Sequence, residues 1–136
     1  MKRKNPQTAI MGILNITPDS FSDGGLYFKN INAVLKRVKE MLLQGADIID
    51  VGGESTRPES EPVLEVEEIE RVLPAIKEIR KKFGKQLPIS VDTYKARVAK
   101  ACLERGANMI NSLGGFTFDS NLAKVVATYH CPIVLY

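Results

Sequence analysis

The sequence of 136 residues contains no tryptophan, one histidine and two cysteines. Cys102 and Cys131 lie in apolar contexts without a CxxC spacing, so we interpret both as small buried hydrophobic residues in a reducing, cytoplasmic compartment. His130 precedes a predicted strand, where a structural role is favoured. The sequence shows no Ser/His/Asp arrangement and no cysteine nucleophile with a base. Catalysis through a nucleophilic side chain is therefore disfavoured.

Long apolar runs and a large charge of one sign are also absent. No run approaches the roughly 20 residues that a membrane helix needs, and the basic N-terminus lacks the apolar run and cleavage site of a signal peptide. The net charge of +3 is spread over predicted helices and the N-terminal tail. We therefore expect no membrane or nucleic-acid partner, and a basic pocket for an anionic small molecule stays open.

The sequence does contain a strict alternation of strand-like runs and amphipathic helical patterns. Strands are predicted at residues 8–14, 47–51, 87–91, 107–111 and 131–136, and helices at 31–42, 65–82, 95–105 and 122–129. This order predicts a single α/β domain over residues 1–136 with a parallel sheet and right-handed crossovers.

A short internal repeat narrows the fold class. Residues 45–50 (GADIID) match residues 106–111 (GANMIN) position by position, and a Gly-Gly pair follows each within three residues. The two copies lie two βα units apart, which favours a parallel (β/α) barrel of TIM type over a doubly wound sheet. Here the barrel would be partial, with about five strands and four helices.

Four predicted strands end in an amide or a carboxylate, at Asn15, Asp50, Asp92 and Asn111. Each could cap the helix that follows it. Alternatively, the carboxyl ends of barrel strands share one face, which holds the active site. Carboxylates that accept from adjacent N–H donors and amides that donate and accept suit a flat, nitrogen-rich ligand.

Two polar loops follow the first two strands, at residues 15–25 and 54–62. Arg57 in the second loop could pair with an anionic leaving group or a carboxylate, or could be a solvated loop charge. Asn15 at the start of the first loop could offer its side-chain oxygen to Mg²⁺.

Three motifs resemble those of a known family. Residues 11–25 (MGILNITPDSFSDGG) resemble the first signature of dihydropteroate synthase, residues 47–58 (DIIDVGGESTRP) resemble its second, and residues 89–95 (ISVDTYK) look like its third-strand motif. The resemblance implies a TIM barrel that joins 4-aminobenzoate to 6-hydroxymethyl-7,8-dihydropterin diphosphate. Departure of diphosphate would be assisted by Mg²⁺.

The resemblance also implies roles for individual residues by their motif position. Asn15 would be the Mg²⁺ ligand, and Asp92 and Asn111 would hold the pterin ring. Thr56 would contact the pterin substrate, and Arg57 would lie in the second loop beside the aminobenzoate. These side chains bind and orient substrates, which agrees with the absence of a nucleophile.

Asp50 would support the loop near the site. The chain departs from the family pattern at Ser112, where the family usually has aspartate, and in its length. A (β/α)₈ barrel needs about 250 residues, so we expect the N-terminal part of such a barrel, without the family's later pterin-binding and diphosphate-binding residues. A homodimer is left open.

Two alternatives to a working dihydropteroate synthase stay open on the sequence. A pterin-binding domain of a folate or corrinoid methyltransferase shares the barrel and the strand-end residues, although the two loop motifs argue against it. An inactive truncated chain is the other, and the length argues for it as a statement about activity.

Overall fold

A computed structural model describes residues 8–17, 30–55 and 61–136. Five strands alternate with four helices, as the sequence predicts. The strands are β1 (Met11–Asn15), β2 (Ile48–Gly52), β3 (Ile89–Asp92), β4 (Met109–Ser112) and β5 (Ile133–Leu135). The helices are α1 (Ile31–Leu43), α2 (Glu65–Phe83), α3 (Ala96–Leu103) and α4 (Asn121–Tyr129).

The five strands form one parallel sheet in the order β1-β2-β3-β4-β5. Each helix contacts the next one along the chain, α1 with α2, α2 with α3 and α3 with α4. The sheet order therefore never reverses, whereas a doubly wound sheet reverses at a switch point. The predicted α/β fold with a partial parallel barrel is confirmed. Within the described residues, no helix is both long and apolar enough to cross a membrane.

The core lies between the sheet and this helix layer. Alternate strand residues point toward the helices and are almost completely buried, including Leu14, Val51, Val91 and Ile110. The other strand residues point to the opposite side of the sheet, which we call the inner face. Apolar side chains on the inner face are exposed at the edge strand β1, as at Ile13 with 64% of its surface accessible.

The internal repeat has a structural counterpart at the entrance to β2 and β4. Asp47 Oδ2 accepts a hydrogen bond from the Ile10 N–H at 2.8 Å, and Asn108 Oδ1 accepts one from the Ile89 N–H at 2.8 Å. In both copies the side chain ties the start of its strand to the preceding strand. The repeated segments therefore do the same structural work two βα units apart.

The apolar side of α2 differs from the expected one at its first turn. The sequence pattern places Val66 on this side, but Val66 is exposed and Glu68 is buried. Glu68 lies four residues before the buried Val72, so both occupy the same side of the helix. Lys95 forms an ion pair with this buried carboxylate, as described below. The helical pattern alone could not identify Lys95 as its partner.

Arg80, near the end of α2, binds three backbone carbonyls in the segments that precede β3 and β4. Its guanidinium donates to the carbonyls of Gly84 and Leu87, each at 2.7 Å, and to that of Gly106 at 2.5 and 3.0 Å. We expect Arg80→Met to lower the free energy of unfolding by about 2 kcal/mol, because these carbonyls lose a charged donor. Urea denaturation measures the change.

Lys81→Met is the matched control for this prediction. Lys81 forms only an exposed ion pair with Glu78 at 3.7 Å, and its replacement should change the unfolding free energy by less than about 0.5 kcal/mol. Equal effects of the two substitutions would contradict the role given to Arg80.

Candidate functional site

Three of the four polar strand ends lie in one row across the sheet. Asn15 pairs in register with Gly52, Gly52 with Asp92, and Asp92 with Asn111. Adjacent strands of a sheet lie about 4.8 Å apart, so the row places an amide, a carboxylate and a second amide along one edge. The prediction that these residues share one face is confirmed by this register.

Asp50 lies one layer below this row and points to the same inner face. Its Oδ2 accepts a hydrogen bond from Asn111 Nδ2 at 2.9 Å, across the intervening strand β3. The other carboxylate oxygen of Asp50 and the hydroxyl of Ser90, its partner in register, are buried without a hydrogen-bond partner in the chain. The inner face therefore presents unused acceptors beneath the row.

Helix capping does not account for these polar strand ends. The N-cap positions of the four described helices are Asn30, Leu64, Lys95 and Ser120. The Asn30 side chain accepts from the Ala33 N–H at 3.1 Å, as the sequence predicts. The strand-end side chains of Asn15, Asp50, Asp92 and Asn111 are thus not used as N-caps of the described helices.

The pKa of Asp92, on the inner face, lies well above that of an ordinary aspartate. Burial, followed by the neighbouring carboxylates Asp50 and Glu68, raises the pKa of Asp92 to about 6, while the hydroxyl of Tyr136 acts in the opposite direction. At neutral pH the group is ionised but held in surroundings that disfavour its charge. A ligand that brings N–H donors or positive charge to Asp92 would relieve this cost.

Gly52 keeps the space between Asn15 and Asp92 open. A methyl group at Gly52 would lie 3.4 Å from Asn15 Oδ1 and 3.9 Å from Asp92 Oδ2. Both oxygens therefore face the backbone of Gly52 at the centre of the row. The first glycine of the Gly-Gly pair leaves room for a ligand to approach the sheet.

A buried ion cluster stands beside the row and was missed in the sequence. The Lys95 ammonium group contacts the carboxylates of Glu54 and Glu68, and the Tyr94 hydroxyl donates to Glu54 Oε1 at 3.0 Å. Only 1% of the Glu68 side chain is exposed. A charged residue on the apolar side of α2 was the one sequence signal that could have indicated this cluster.

Arg71 ties the second glycine of the pair to α2. Its guanidinium donates to the Gly53 carbonyl at 2.8 Å and pairs with Glu67 in the same helix. The end of β2 is thus held by helix α2 through Arg71 and by the ion cluster through Glu54. Ser112, the departure from the family motif, is buried and donates to the Gly115 carbonyl at 2.9 Å, so it stabilises the turn after β4.

Thr56 and Arg57, the two loop residues assigned to substrates from the sequence, lie outside the described residues. The predicted support of the loop by Asp50 stays a prediction, since the structure gives Asp50 a hydrogen bond to Asn111. Within residues 8–17, 30–55 and 61–136, no group of three His, Cys, Asp or Glu side chains is arranged to hold a metal ion.

Comparison with known sequences finds close relatives that share one name. The chain is 58% identical over 129 residues to a dihydropteroate synthase of Clostridium beijerinckii, a match that covers 95% of this chain and 47% of the relative. It is 53% identical to a dihydropteroate synthase of Bacillus subtilis, with 95% of this chain and 44% of the relative covered. The chain thus spans about half the length of the curated relatives that it matches.

Solved structures agree with the sequence comparison. A dihydropteroate synthase from Clostridium difficile, determined in the presence of pteroic acid, superposes with a TM-score of 0.88 at 46% identity, over 98% of this chain and 49% of that one. A Xanthomonas albilineans dihydropteroate synthase with 4-aminobenzoic acid gives a TM-score of 0.84 at 40% identity, over 93% and 45% of the two chains.

The resemblance that the sequence motifs carry is therefore confirmed over nearly the whole chain. A family model described as pterin binding enzyme matches residues 11–136, a range that includes every described strand and helix. This chain belongs to the pterin binding enzyme family.

Proposed function

We propose that this chain supplies part of the active site of a dihydropteroate synthase. That enzyme condenses 6-hydroxymethyl-7,8-dihydropterin diphosphate with 4-aminobenzoate to give 7,8-dihydropteroate and diphosphate. The observation that carries the proposal is the row of polar strand ends on the inner face, with Asp50 beneath it. The names of the relatives support this enzyme over a methyltransferase.

The pterin ring would lie against Asp92 and Asn111. An ionised carboxylate can accept from two adjacent N–H groups of a guanidine-like ring edge. Asn111 donates its amide N–H to Asp50, so its carbonyl oxygen would be left to accept a hydrogen bond from the ligand. Asp50 thereby orients Asn111 and leaves its own second oxygen for a further donor. Three acceptors on neighbouring strands match a ring with several N–H donors on one edge.

Asn15 would hold Mg²⁺ together with substrate oxygens and water. Mg²⁺ takes oxygen ligands and keeps several waters, so one protein amide in an open position fits it. The Asn15 oxygen meets this requirement because it faces the open space above Gly52. When bound, the ion would neutralise charge on the departing diphosphate.

Thr56 and Arg57 would complete the substrate contacts of this half of the site. By the resemblance, Thr56 contacts the pterin substrate and Arg57 lies beside 4-aminobenzoate. An arginine suits that place because its guanidinium binds carboxylates in a bidentate manner. Both assignments rest on motif position, and the two residues come four and five positions after Gly52, the last residue of β2.

We also propose that residues 1–136 form the N-terminal part of a (β/α)₈ barrel. β1 and β5 stand at the two edges of the sheet, and apolar side chains of the inner face, including Ile13 and Val134, are exposed. Further strands that close the sheet into a barrel would pair the backbone groups of both edges and cover the exposed apolar side chains. A homodimer and a cytoplasmic location stay predictions.

A chimaera tests the proposed function. In it, this chain replaces the matched 129 residues of the Clostridium beijerinckii relative. Supplied with the pterin diphosphate, Mg²⁺ and 4-aminobenzoate, the chimaera should form dihydropteroate and release diphosphate at a rate within about tenfold of the relative, because the two segments are 58% identical.

Two controls accompany the assay. The chain alone is expected to give no turnover, and Asp92→Asn in the chimaera is expected to remove most of the activity. A chimaera that folds as stably as the active relative and yet forms no product would overturn the proposed function.

A further inference from the structure

Lys95 occupies an unusual position for a lysine, since only 8% of its surface is exposed. It lies three residues after Asp92, at the N-cap of α3. An ammonium group has three N–H donors, and all three are used here. They go to the Glu54 carboxylate, to Glu68 Oε2 at 2.7 Å and to the Val63 carbonyl at 2.6 Å.

The partners of Lys95 stand at the two ends of the connection between β2 and α2. Glu54 follows the end of β2, whereas Val63 and Glu68 lie just before and within the first turn of α2. Glu54 also accepts the Val63 N–H at 3.2 Å. Both backbone groups of Val63 are thus bound to the Glu54–Lys95 pair, which closes the base of this connection.

The charges of the cluster do not cancel, because one ammonium faces two carboxylates. Burial raises the pKa of Glu68 despite the hydrogen bond from Lys95. The groups that act on the neighbouring Asp92 are carboxylates from β2, from α2 and from the connection, namely Asp50, Glu68 and Glu54, together with the Tyr136 hydroxyl. If Lys95 served only as half of a stabilising ion pair, one carboxylate of the two that it contacts, Glu54 or Glu68, would be sufficient.

We propose that Lys95 is a positioning residue of the strand-end site: it holds the two ends of the β2–α2 connection together beside β3 and balances the carboxylates of Glu54 and Glu68. Through Glu54 it fixes Gly52 and Gly53 relative to Asp92, with which Gly52 is in register. Because it pairs with Glu54 and Glu68, whose negative charges raise the pKa of Asp92, it favours the ionised form of Asp92, the form that accepts N–H donors.

The test compares Lys95→Met with Glu54→Gln by NMR on the 136-residue chain without ligand. Both substitutions loosen the base of the connection, so both should speed amide exchange of Val63 by tenfold or more. The titration midpoint of the Asp92 carboxyl should instead move in opposite directions, by about half a pH unit each. It should rise in Lys95→Met, which removes a positive charge, and fall in Glu54→Gln, which removes a negative one.

Arg97→Met is the matched control, because Arg97 lies on the same helix and forms an exposed ion pair with Glu65 at 3.8 Å. It should change neither measurement. Movement of the Asp92 midpoint in the same direction in Lys95→Met and Glu54→Gln, or unchanged Val63 exchange in both, would overturn the proposal. If Lys95→Met does not fold, a fall of the midpoint in Glu54→Gln still supports the proposal, and a rise or no change overturns it.

A further measurement rests on the proposed function. In the chimaera, Lys95→Met should weaken binding of the pterin diphosphate about twofold more at pH 6 than at pH 8, where Asp92 is ionised in either protein. An equal loss at both pH values would contradict the charge-balancing part of the proposal. Failure of the wild-type chimaera to bind a pterin would contradict the proposed function and leave the ligand-free measurements to decide the role of Lys95.

Discussion

Replacing Asp92 with asparagine should stabilise the folded chain at neutral pH and, under the proposed function, weaken pterin binding by the chimaera. The pKa of Asp92 is raised from 3.8 to about 6, chiefly by burial and then by Asp50. Between these pH values the folded state binds more protons than the unfolded state. The free energy of unfolding therefore falls as the pH rises from 3.8 to about 6, and it stays lower above that pH. Asparagine keeps the shape of the protonated acid and avoids this loss.

The expected gain is about 1–2 kcal/mol above pH 6.5, after allowance for the partial exposure of Asp92, and close to zero below pH 4. Urea denaturation of both proteins across this range measures it. Asp119→Asn is the control, and it should lower the free energy of unfolding. Asp119 accepts hydrogen bonds from the Ala96 and Asn121 N–H groups at 2.8 and 3.0 Å, and asparagine has only one acceptor oxygen. A loss of stability in Asp92→Asn at pH 7 would contradict the role of burial.

The same substitution should weaken pterin binding in the chimaera about 100-fold, because a bidentate charged acceptor becomes an amide that offers only one acceptor. The wild-type affinity should itself fall as the pH drops through about 6, where Asp92 becomes protonated. Titration calorimetry at pH 5, 6 and 8 measures both effects. Wild-type affinity in the variant at pH 8 would show that the pterin lies elsewhere.

Alanine at either glycine of the Gly52-Gly53 pair should have a large effect, but on different properties. At Gly53 the added methyl group would meet Val72 Cγ1 at 2.8 Å and Glu68 Cγ at 3.0 Å. Both atoms belong to the packed side of α2, so the helix must shift. We expect Gly53→Ala to lower the unfolding free energy by about 2–3 kcal/mol, as measured by urea denaturation.

Gly52→Ala should leave stability within about 1 kcal/mol, because its methyl group would make ordinary contacts on the inner face. It would fill the space between Asn15 and Asp92, however, and should abolish pterin binding in the chimaera. Gly12→Ala is a useful control, since its methyl group would meet the flexible Met41 sulfur at 2.8 Å. A Gly53→Ala variant as stable as Gly12→Ala would contradict the tight packing of β2 against α2.

Several features of the site could be predicted from the sequence because they depend on position along the chain. Asn15, Asp92 and Asn111 stand at or near strand ends, and parallel strands place such ends on one face. The internal repeat likewise indicated a barrel before the sheet order was known. The burial of Glu68 could not be predicted from the same pattern, because its partner Lys95 is 27 positions away in the sequence.

The order of strands and helices, the parallel sheet and the polar residues at the strand ends could all be predicted from the amino-acid sequence. Each helix and strand occupies a short, continuous segment, so its hydrophobic periodicity can be read within that segment. Three features became visible only in the folded chain: the alignment of Asn15, Gly52 and Asp92 in one row, the hydrogen bond between Asp50 and Asn111 across 61 positions, and the ion cluster at Lys95. Such contacts depend on strand register and helix packing, which bring together side chains whose separation along the chain carries no periodic signal.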